Sequence, residues 1–542
     1  MDTFDFVVVG AGSAGSALAA RLSEDGRHTV LLLEAGGTGR HPWIHVPIGY
    51  GKTFYDGRFN WKFEAEADPG LVGRRMYWPR GKVLGGSSAI NAMVYVRGHP
   101  ADYEEWGEAA TGWRWVDVEP VFRRMETWRG PPDVQRGTAG PLSVTDVSSA
   151  MHPLTHAYIR AAREAGFEFT PDYNGAQMKG AAFYQITTDR GVRASAASAY
   201  LRPARRRRNL TVRTGALAQR ILFEGRTATG VEYRQMGRRR RARARNEVIL
   251  CCGAIQSPQL LQVSGVGPGS LLARMGIPIV HALREVGRNL ADHLSLDLMF
   301  TSVVPSLNQD LRSFWGKARA ALRYAIARDG PLSMSLNQAG GFVSPRGQPG
   351  APEMQIYFSP LSYSRAPKNT RPLMRPDPFP AYRLGYNPCK PTSRGYLEIR
   401  SPHVRDAPAM HPNYLSTEAD CRAMIDGVHL MRQIAAMPAL RDVTGNEVVP
   451  GSVATTEDAL LDHARRDGWT VFHQCGTCRM GTDPDTSVVD PRLRVHGIDG
   501  LRVADASIFP TIPSGNTNAP AIMVGERASD LIREDWAKKA LA

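Results

Sequence analysis

The feature that most restricts this chain stands near its start: a buried-strand pattern, a glycine triplet, and a second apolar run closed by an acid. Residues 4–10, FDFVVVG, are aromatic and β-branched and stop at glycine, as a fully buried strand does. Ala14, Leu18 and Leu22 then recur on one face of a helix. Residues 29–34, TVLLLE, are a second strand apolar on both faces, which a parallel sheet covered by helices buries. Between them Gly10-Ala11-Gly12-Ser13-Ala14-Gly15 spells GxGxxG. Gly10 permits the tight turn, Gly12 lets a pyrophosphate approach the backbone, and Gly15 lets the helix close on the strand. The helix N-terminus faces the phosphates with its partial positive charge. Glu34, nineteen residues past Gly15, is placed to take an adenosine ribose hydroxyl. On these residues alone, FAD and NAD satisfy the unit equally.

A chain of 542 residues is expected to hold two or more structural units. Residues 210–233 break at Gly215, Gly225 and Gly230 into short pieces that read as an antiparallel meander. Residues 246–252 read as a short strand, followed by a helix over 257–263 with Ser257 as its cap and Pro258 in its first turn. Residues 301–449, rich in proline, aromatics and methionine, read as a second, mixed unit. A strand over 500–504 and a helix over 520–532 return to the first.

Composition matches a globular protein: 42% hydrophobic, 22% charged, with no stretch apolar enough to span a bilayer and no basic leader at the start. The expected location is cytoplasmic. Six cysteines make no disulfide framework, and Cys251 and Cys252 read as small core residues. Cys475 and Cys478 lack the second half of a zinc site, so no metal is expected. The net charge of +15 is concentrated in arginines at 205–208 and 238–245. Without interleaved aromatics these read as solvated loops, not as a specific nucleic-acid site. They leave room for peripheral attachment to the anionic inner face of a membrane, which matters if electrons pass to a lipid-borne quinone.

Two further glycine-rich elements narrow the cofactor. Residues 80–91, RGKVLGGSSAIN, form a loop whose backbone N–H groups can converge on an anion or a flat ring. Residues 253–261, GAIQSPQLL, continue into SGVGP at 264–268. Together with 473–480 and 514–520, these motifs resemble the glucose–methanol–choline (GMC) family of flavin oxidoreductases, in particular its bacterial choline- and alcohol-dehydrogenase branch. The resemblance runs from Asp5 to about Ile532. It implies an α/β fold in which a Rossmann-like FAD-binding domain interleaves with an α+β substrate domain built on an antiparallel sheet. The FAD-binding parts would be 1–150, 201–300 and 465–542; the substrate-domain parts would be 151–200 and 301–464.

By motif match, Gly10, Gly12, Gly15 and Glu34 would hold the ADP portion of FAD, with Ala218 near the adenine. Val83, Asn91, Ala92 and Val94 would lie along pyrophosphate and flavin, and Asp505 and Ala506 would line the cofactor. Some family members attach FAD covalently to a histidine where this chain has Ile90, so FAD is expected to be non-covalent.

The same resemblance gives the reacting groups. Residues 473–481, HQCGTCRMG, are similar to the family's HPxGTCRMG signature, with Gln474 replacing proline. His473 would be the general base, since imidazole titrates near working pH. Asn516 would share the substrate hydroxyl through its donor and acceptor. Asn518 reads as the cap of a helix pointing its positive end at the flavin.

The expected reaction is oxidation of a primary aliphatic or aromatic alcohol to an aldehyde by hydride transfer to flavin N5, with a quinone-type acceptor. An O2-using alcohol oxidase of aryl-alcohol or furfuryl type, releasing H2O2, and a choline dehydrogenase are the alternatives. Substrate walls are expected mainly from 301–449, with Leu336, Phe342, Tyr357 and Phe358 as wall residues. The oligomeric state is left open.

Overall fold

A computed structural model describes residues 1–345, 347, 350–363, 375–451 and 453–541. The strands used below are, in chain order, β1 (Asp2–Val9), β2 (Val30–Leu33), β3 (Gly180–Phe183), β4 (Leu210–Arg213), β5 (Ala216–Glu224), β6 (Thr227–Gln235) and β7 (Arg238–Leu250). There follow β8 (Leu294–Ser302), β9 (Ala339–Val343), β10 (Met354–Ser359), β11 (Ala381–Pro388), β12 (Thr444–Val449), β13 (Trp469–Thr470) and β14 (Leu501–Val503). The helices are α1 (Ser13–Leu22), α2 (Pro153–Glu164), α3 (Gly253–Val263), α4 (Leu307–Arg312), α5 (Phe314–Ala327), α6 (Glu418–Ala435) and α7 (Asn518–Leu541).

The first sheet has the order β4-β2-β1-β7-β6-β5, with β14 also pairing β7. Its strands β4, β2, β1, the end of β7, and β14 run parallel. Val7, Val8, Leu31, Leu32, Val248 and Ile249 have no exposed surface. Each such side chain contributes about 1.5–3 kcal/mol on burial. Helix α1 packs against the C-terminal α7 and is tied to it by Arg21, whose Nε lies 3.0 Å from the Glu526 carboxylate. The second sheet, β12-β8-β11-β10-β9-β3 with β13 also on β8, is antiparallel throughout. Leu154 and Tyr158 of α2 and Val428 and Met431 of α6 share a core with its Leu298, Phe358, Leu384 and Tyr386.

Several local expectations change. Residues 210–213 are not part of the meander: β4 extends the parallel sheet beside β2, and the antiparallel hairpins begin at β5. The arginine run at 238–245 is not a loop. It forms the first part of the thirteen-residue β7, where Ala242 and Ala244 point inward and Arg243 and Arg245 outward, the period-two alternation of a half-buried strand. The strand read at 246–252 is the second part of this same β7. The other run, 205–208, does lie in a turn.

Helix α3 begins at Gly253, not at Ser257, so Pro258 lies inside it. A proline there cannot donate to the Ala254 carbonyl. The Thr477 hydroxyl donates to that carbonyl instead, at 2.6 Å. Ser257 donates to the Asp505 carboxylate at 2.6 Å, and the Gly253 N–H to the same oxygen at 2.8 Å, so Asp505 takes the place expected of the Ser257 cap. Helix α7 likewise begins at Asn518 and runs past the expected end at 532 to Leu541.

The Thr477–Ala254 bond yields a direct prediction. Thr477→Val keeps the shape but strands a buried carbonyl, and should lower stability by about 1–3 kcal/mol, read as a lowered midpoint of denaturant unfolding.

Candidate active site

One cavity runs along the carboxyl ends of the parallel strands, where an open α/β sheet places its ligands. One end is lined by Gly10, Gly12, Ser13, Glu34 and Ala216–Ala218; the other holds His473, Asn516, Phe472 and Phe54. Of the residues expected to hold the cofactor, Asn91, Ala92, Val94, Ala218, Asp505, Ala506 and Asn518 also line it. Gly15 and Val83 do not. A Cβ on Gly15 would collide with the Gly10 carbonyl, so its bareness lets α1 close on β1. Val83 packs with Ile44, Ala89 and Ile90 beneath the loop.

The glycine cradle has room for a dinucleotide. A Cβ on Gly12 would find only the Cys251 carbonyl at 3.9 Å, and one on Gly253 would find nothing within 4 Å. Glu34 accepts the Ala11 N–H (3.0 Å) and the Gly36 N–H (2.7 Å), locking the glycine turn to the end of β2. Each oxygen keeps a lone pair for a ribose hydroxyl. Burial pushes this carboxyl up to about 7 against those two bonds and the charge of Lys82. The N-termini of α1 and α7 meet at the cavity: Ser13 Oγ donates to Asn518 Oδ1 at 2.7 Å. The Asn518 side chain therefore joins two helices and does not cap its own. Cys252, expected in the core, is half-buried and faces the cavity.

The end that holds His473 rests on Asp292, which is buried. Its Oδ1 accepts the backbone N–H of His293 and of His473, both at 2.9 Å. Its Oδ2 accepts the Tyr414 hydroxyl, Thr470 Oγ1 at 2.5 Å and Gln474 Nε2 at 2.6 Å. Burial raises this carboxyl, and the Thr470, Tyr414 and His473 donors, with the Arg80 charge, oppose the rise. Gln474, which stands where the resembling signature has proline, thus supplies a donor that proline lacks. Phe472, just before His473, holds φ at 69°, a conformation costly for a bulky residue. Its N–H donates to Thr470 Oγ1 (2.8 Å) and its carbonyl accepts from Arg80 Nη2 (3.1 Å), which together fix the turn presenting the imidazole.

Hydrogen-bond chemistry then assigns the histidine protons. The Cys389 carbonyl can only accept, so His293 Nε2, 2.9 Å away, carries a proton. The neutral His293 ring therefore accepts at Nδ1 from His473 Nδ1–H, at 2.9 Å. That leaves a lone pair on His473 Nε2, 3.1 Å from Asn516 Nδ2. Asn516 is oriented to match: Tyr357 donates to Gln355 Oε1 (2.7 Å), Gln355 Nε2 donates to Asn516 Oδ1 (3.0 Å), and the amide N–H2 must face His473. Burial, then His293, then the Arg80 charge hold His473 well below the usual histidine range, and burial brings His293 down to about 4. The ring at 473 is thus a neutral imidazole whose Nε2 lone pair meets the Asn516 amide N–H at the cavity.

Asp292, His293 and Gln355 escaped the sequence reading. The one local signal was an Asp-His pair opening an otherwise apolar strand, and Gln355 lies 161 residues from the amide it orients. The expected wall residues are also corrected. Phe342 and Tyr357 belong to a packed cluster with Val94 and Tyr184, Phe358 stacks on Tyr158 in the sheet core, and Leu336 packs behind Tyr50. The walls near His473 come instead from Tyr50, Phe54, Trp61, Ile90, Val471 and Phe472, because loops of the first domain and the stretch after β13 fold over the cavity. Among the described residues, no group of three or more His, Cys, Asp or Glu side chains is arranged to hold a metal ion, and no helix is long and apolar enough to cross a membrane.

Comparison with known proteins follows the same outline. Family models described as GMC oxidoreductase match residues 4–295 and 391–525. An oxygen-dependent choline dehydrogenase of Photobacterium profundum is 40% identical over 98% of this chain and 93% of its own length. The mitochondrial choline dehydrogenase of Mus musculus is 41% identical over 98% and 90%. Among solved structures, a pyridoxine 4-oxidase from Mesorbium loti superposes with a TM-score of 0.88 at 31% identity, covering 98% of this chain and 99% of that one. The formate oxidase of Aspergillus oryzae reaches 0.90 at 25% identity, covering 98% of each chain.

The buried setting of His473 yields a prediction for a reaction in which this ring is the base. A base acts in its neutral form, so kcat/KM should stay level as pH falls from 8 to below 6.5 and decline only once this imidazole protonates. A decline centred above pH 7 would contradict that environment.

Proposed function

From the premise that this chain belongs to the GMC oxidoreductase family of FAD-dependent enzymes acting on CH–OH donors, we propose that it oxidises neutral primary alcohols, aliphatic or aromatic, to aldehydes. The observation that carries the proposal is the makeup of the cavity near His473. Its walls are aromatic and aliphatic, and the acidic residues lining the cavity are Glu34 and Asp505, both bonded to backbone N–H groups of the glycine turns. Asp292 lies behind His473 with its oxygens taken up by five donors. The charged group that does line this end is Arg80, whose guanidinium burial pulls down to about 10. The aromatic faces would accept either a neutral tail or a permanent cation, and it is the Arg80 charge at this end, which repels a cation, that favours a neutral hydroxyl with an apolar tail.

Gly10, Gly12, Asn91, Ala92, Val94, Ala218 and Ala506 would lie along the FAD, with Glu34 at the ribose. Bound FAD supplies the hydride acceptor. The substrate hydroxyl would enter between His473 Nε2 and Asn516 Nδ2, displacing their mutual contact. His473 would take the hydroxyl proton at Nε2 while its Nδ1–H remains on His293, so positive charge arising on the ring is shared with a polarisable neighbour and not with a carboxylate. Asn516, held by Gln355, would steady the oxygen with its N–H. Phe54 and Phe472, with ring centroids 5.6 Å apart, would exclude water around the reacting carbon. The acceptor in the second half-reaction is proposed to be a quinone. Ile90 offers no nucleophile, so FAD would be held non-covalently, and acid precipitation should leave the protein colourless.

The curated relatives favour a second reading, choline oxidation, since those proteins carry that name. A substrate panel separates the two. For neutral primary alcohols kcat/KM should exceed that for choline by more than ~10-fold, with dye reduction faster than peroxide formation; the reverse order would establish choline or O2. His473→Ala should slow flavin reduction in stopped flow by about 10²–10⁴-fold.

A further inference from the structure

Helix α5 (FWGKARAALRYAIA) is apolar on the side that faces away from the protein. Phe314 is 75% exposed, Trp315 79%, Leu322 63% and Ile326 77%. At 100° per residue, Trp315, Leu322 and Ile326 fall within roughly 40° of one another, a single stripe along the helix. Phe314 abuts Trp315 edge-on at its start, with centroids 5.4 Å apart. The opposite side is already engaged: Ala320 and Tyr324 are buried, and the Tyr324 hydroxyl donates to the Gly191 carbonyl at 3.0 Å. Ser313 caps the helix by accepting the Gly316 N–H at 2.9 Å. The stripe is therefore the outer face of a helix held to the protein through Ala320 and Tyr324, and isolated exposed leucines are ordinary where such a stripe is not.

The charge around the stripe identifies its occupant. Between residues 307 and 330 lie five basic side chains (Arg312, Lys317, Arg319, Arg323, Arg328) and two acidic ones. Asp310 is paired to Arg319 at 2.6 Å and Asp329 to Arg323 at 2.7 Å, so a positive excess remains beside the apolar face. A second copy seated there about a two-fold axis would set these like charges against each other. A helix of 14 residues is about 21 Å long, too short to span a bilayer but suited to lie in its interface.

We propose that α5 is a membrane-docking helix, inserting Phe314, Trp315, Leu322 and Ile326 into the interface of an anionic lipid bilayer while the flanking Lys317, Arg319, Arg323 and Arg328 meet its headgroups. The preceding helix α4 places Leu307 and Leu311 against Tyr50, a wall residue of the cavity, in a cluster that Ala92 also joins. Docking through α5 thus sets the wall of the reaction cavity close to the lipid surface. This surface stands whatever alcohol the enzyme takes.

The test uses the FAD-loaded full chain and vesicles of phosphatidylcholine with or without phosphatidylglycerol. Wild type should co-sediment with the anionic vesicles at least ~10-fold more than with the neutral ones. The triple variant Trp315→Ser/Leu322→Ser/Ile326→Ser should lose at least ~10-fold of that binding, with its flavin absorbance and its turnover of a short soluble alcohol with a soluble dye unchanged. Arg238→Ser/Arg240→Ser, in the exposed arginine run of β7, should bind as wild type does. The proposal fails if wild type ignores both vesicles, or if the triple variant binds normally. It also fails if the β7 variant alone loses binding, or if light scattering finds a wild-type dimer that the triple variant splits without any vesicle binding.

Discussion

A single enclosed carboxylate, that of Asp292, receives five hydrogen bonds, and the geometry of the reacting end follows from where those donors sit. Two of them are the backbone N–H groups of His293 and His473, so the same carboxylate fixes both rings at the level of the main chain. Two others, Thr470 and Gln474, come from residues flanking the strained Phe472. A carboxylate lifted from water is costly unless every lone pair is engaged, and here the cost is offset by bonds that rigidify the loop carrying the proposed base. Because the charge is spent on backbone and neutral groups, His473 leans on another imidazole and not on an acid. Its basicity is then set by burial and by the neighbouring ring.

The parts of this arrangement that could be read from the chain are those encoded locally. A glycine at 10, 12 or 15 answers to a turn, an open face or a helix contact within the same βαβ unit, and the period-two and both-face apolar patterns of β1 and β2 are visible in any window of their own residues. His473 and Asn516 were legible only through a resemblance, since nothing in the neighbourhood of either names the other. What could not be read were relations between distant segments. Asn516 owes its orientation to Gln355, Pro258 is tolerated because Thr477 donates to the Ala254 carbonyl that the proline cannot reach, and β4 belongs to the parallel sheet because β2 offers it an edge. The arginines at 238–245 misled for a related reason. Charge suggested a loop, while the alanines between them carried the strand pattern that pairing with β6 makes decisive.

The cavity walls divide along the same line. The second sheet supplies rigid backing, with Tyr184, Gln355 and Tyr357 orienting Asn516 from behind, yet contributes little lining of its own. The surfaces in contact with a bound molecule come from short pieces of the first domain and from the stretch after β13. Proteins that share this backbone can therefore differ in what they admit through a few side chains near positions 50–61, 90–94 and 471–472, with His473, Gln474 and Asp292 unchanged.

The layout of the first sheet has a consequence for how the chain is made. Strand β1 is synthesised well before its neighbour β7, which is encoded some 240 residues later, and β14 and α7, which complete the sheet and clamp α1, lie beyond residue 500. The glycine fingerprint after β1 thus cannot settle into its final environment until the segments beyond residue 500 have been synthesised. Such high contact order makes folding slow and leaves the apolar strands β1 and β2 unsheltered throughout elongation.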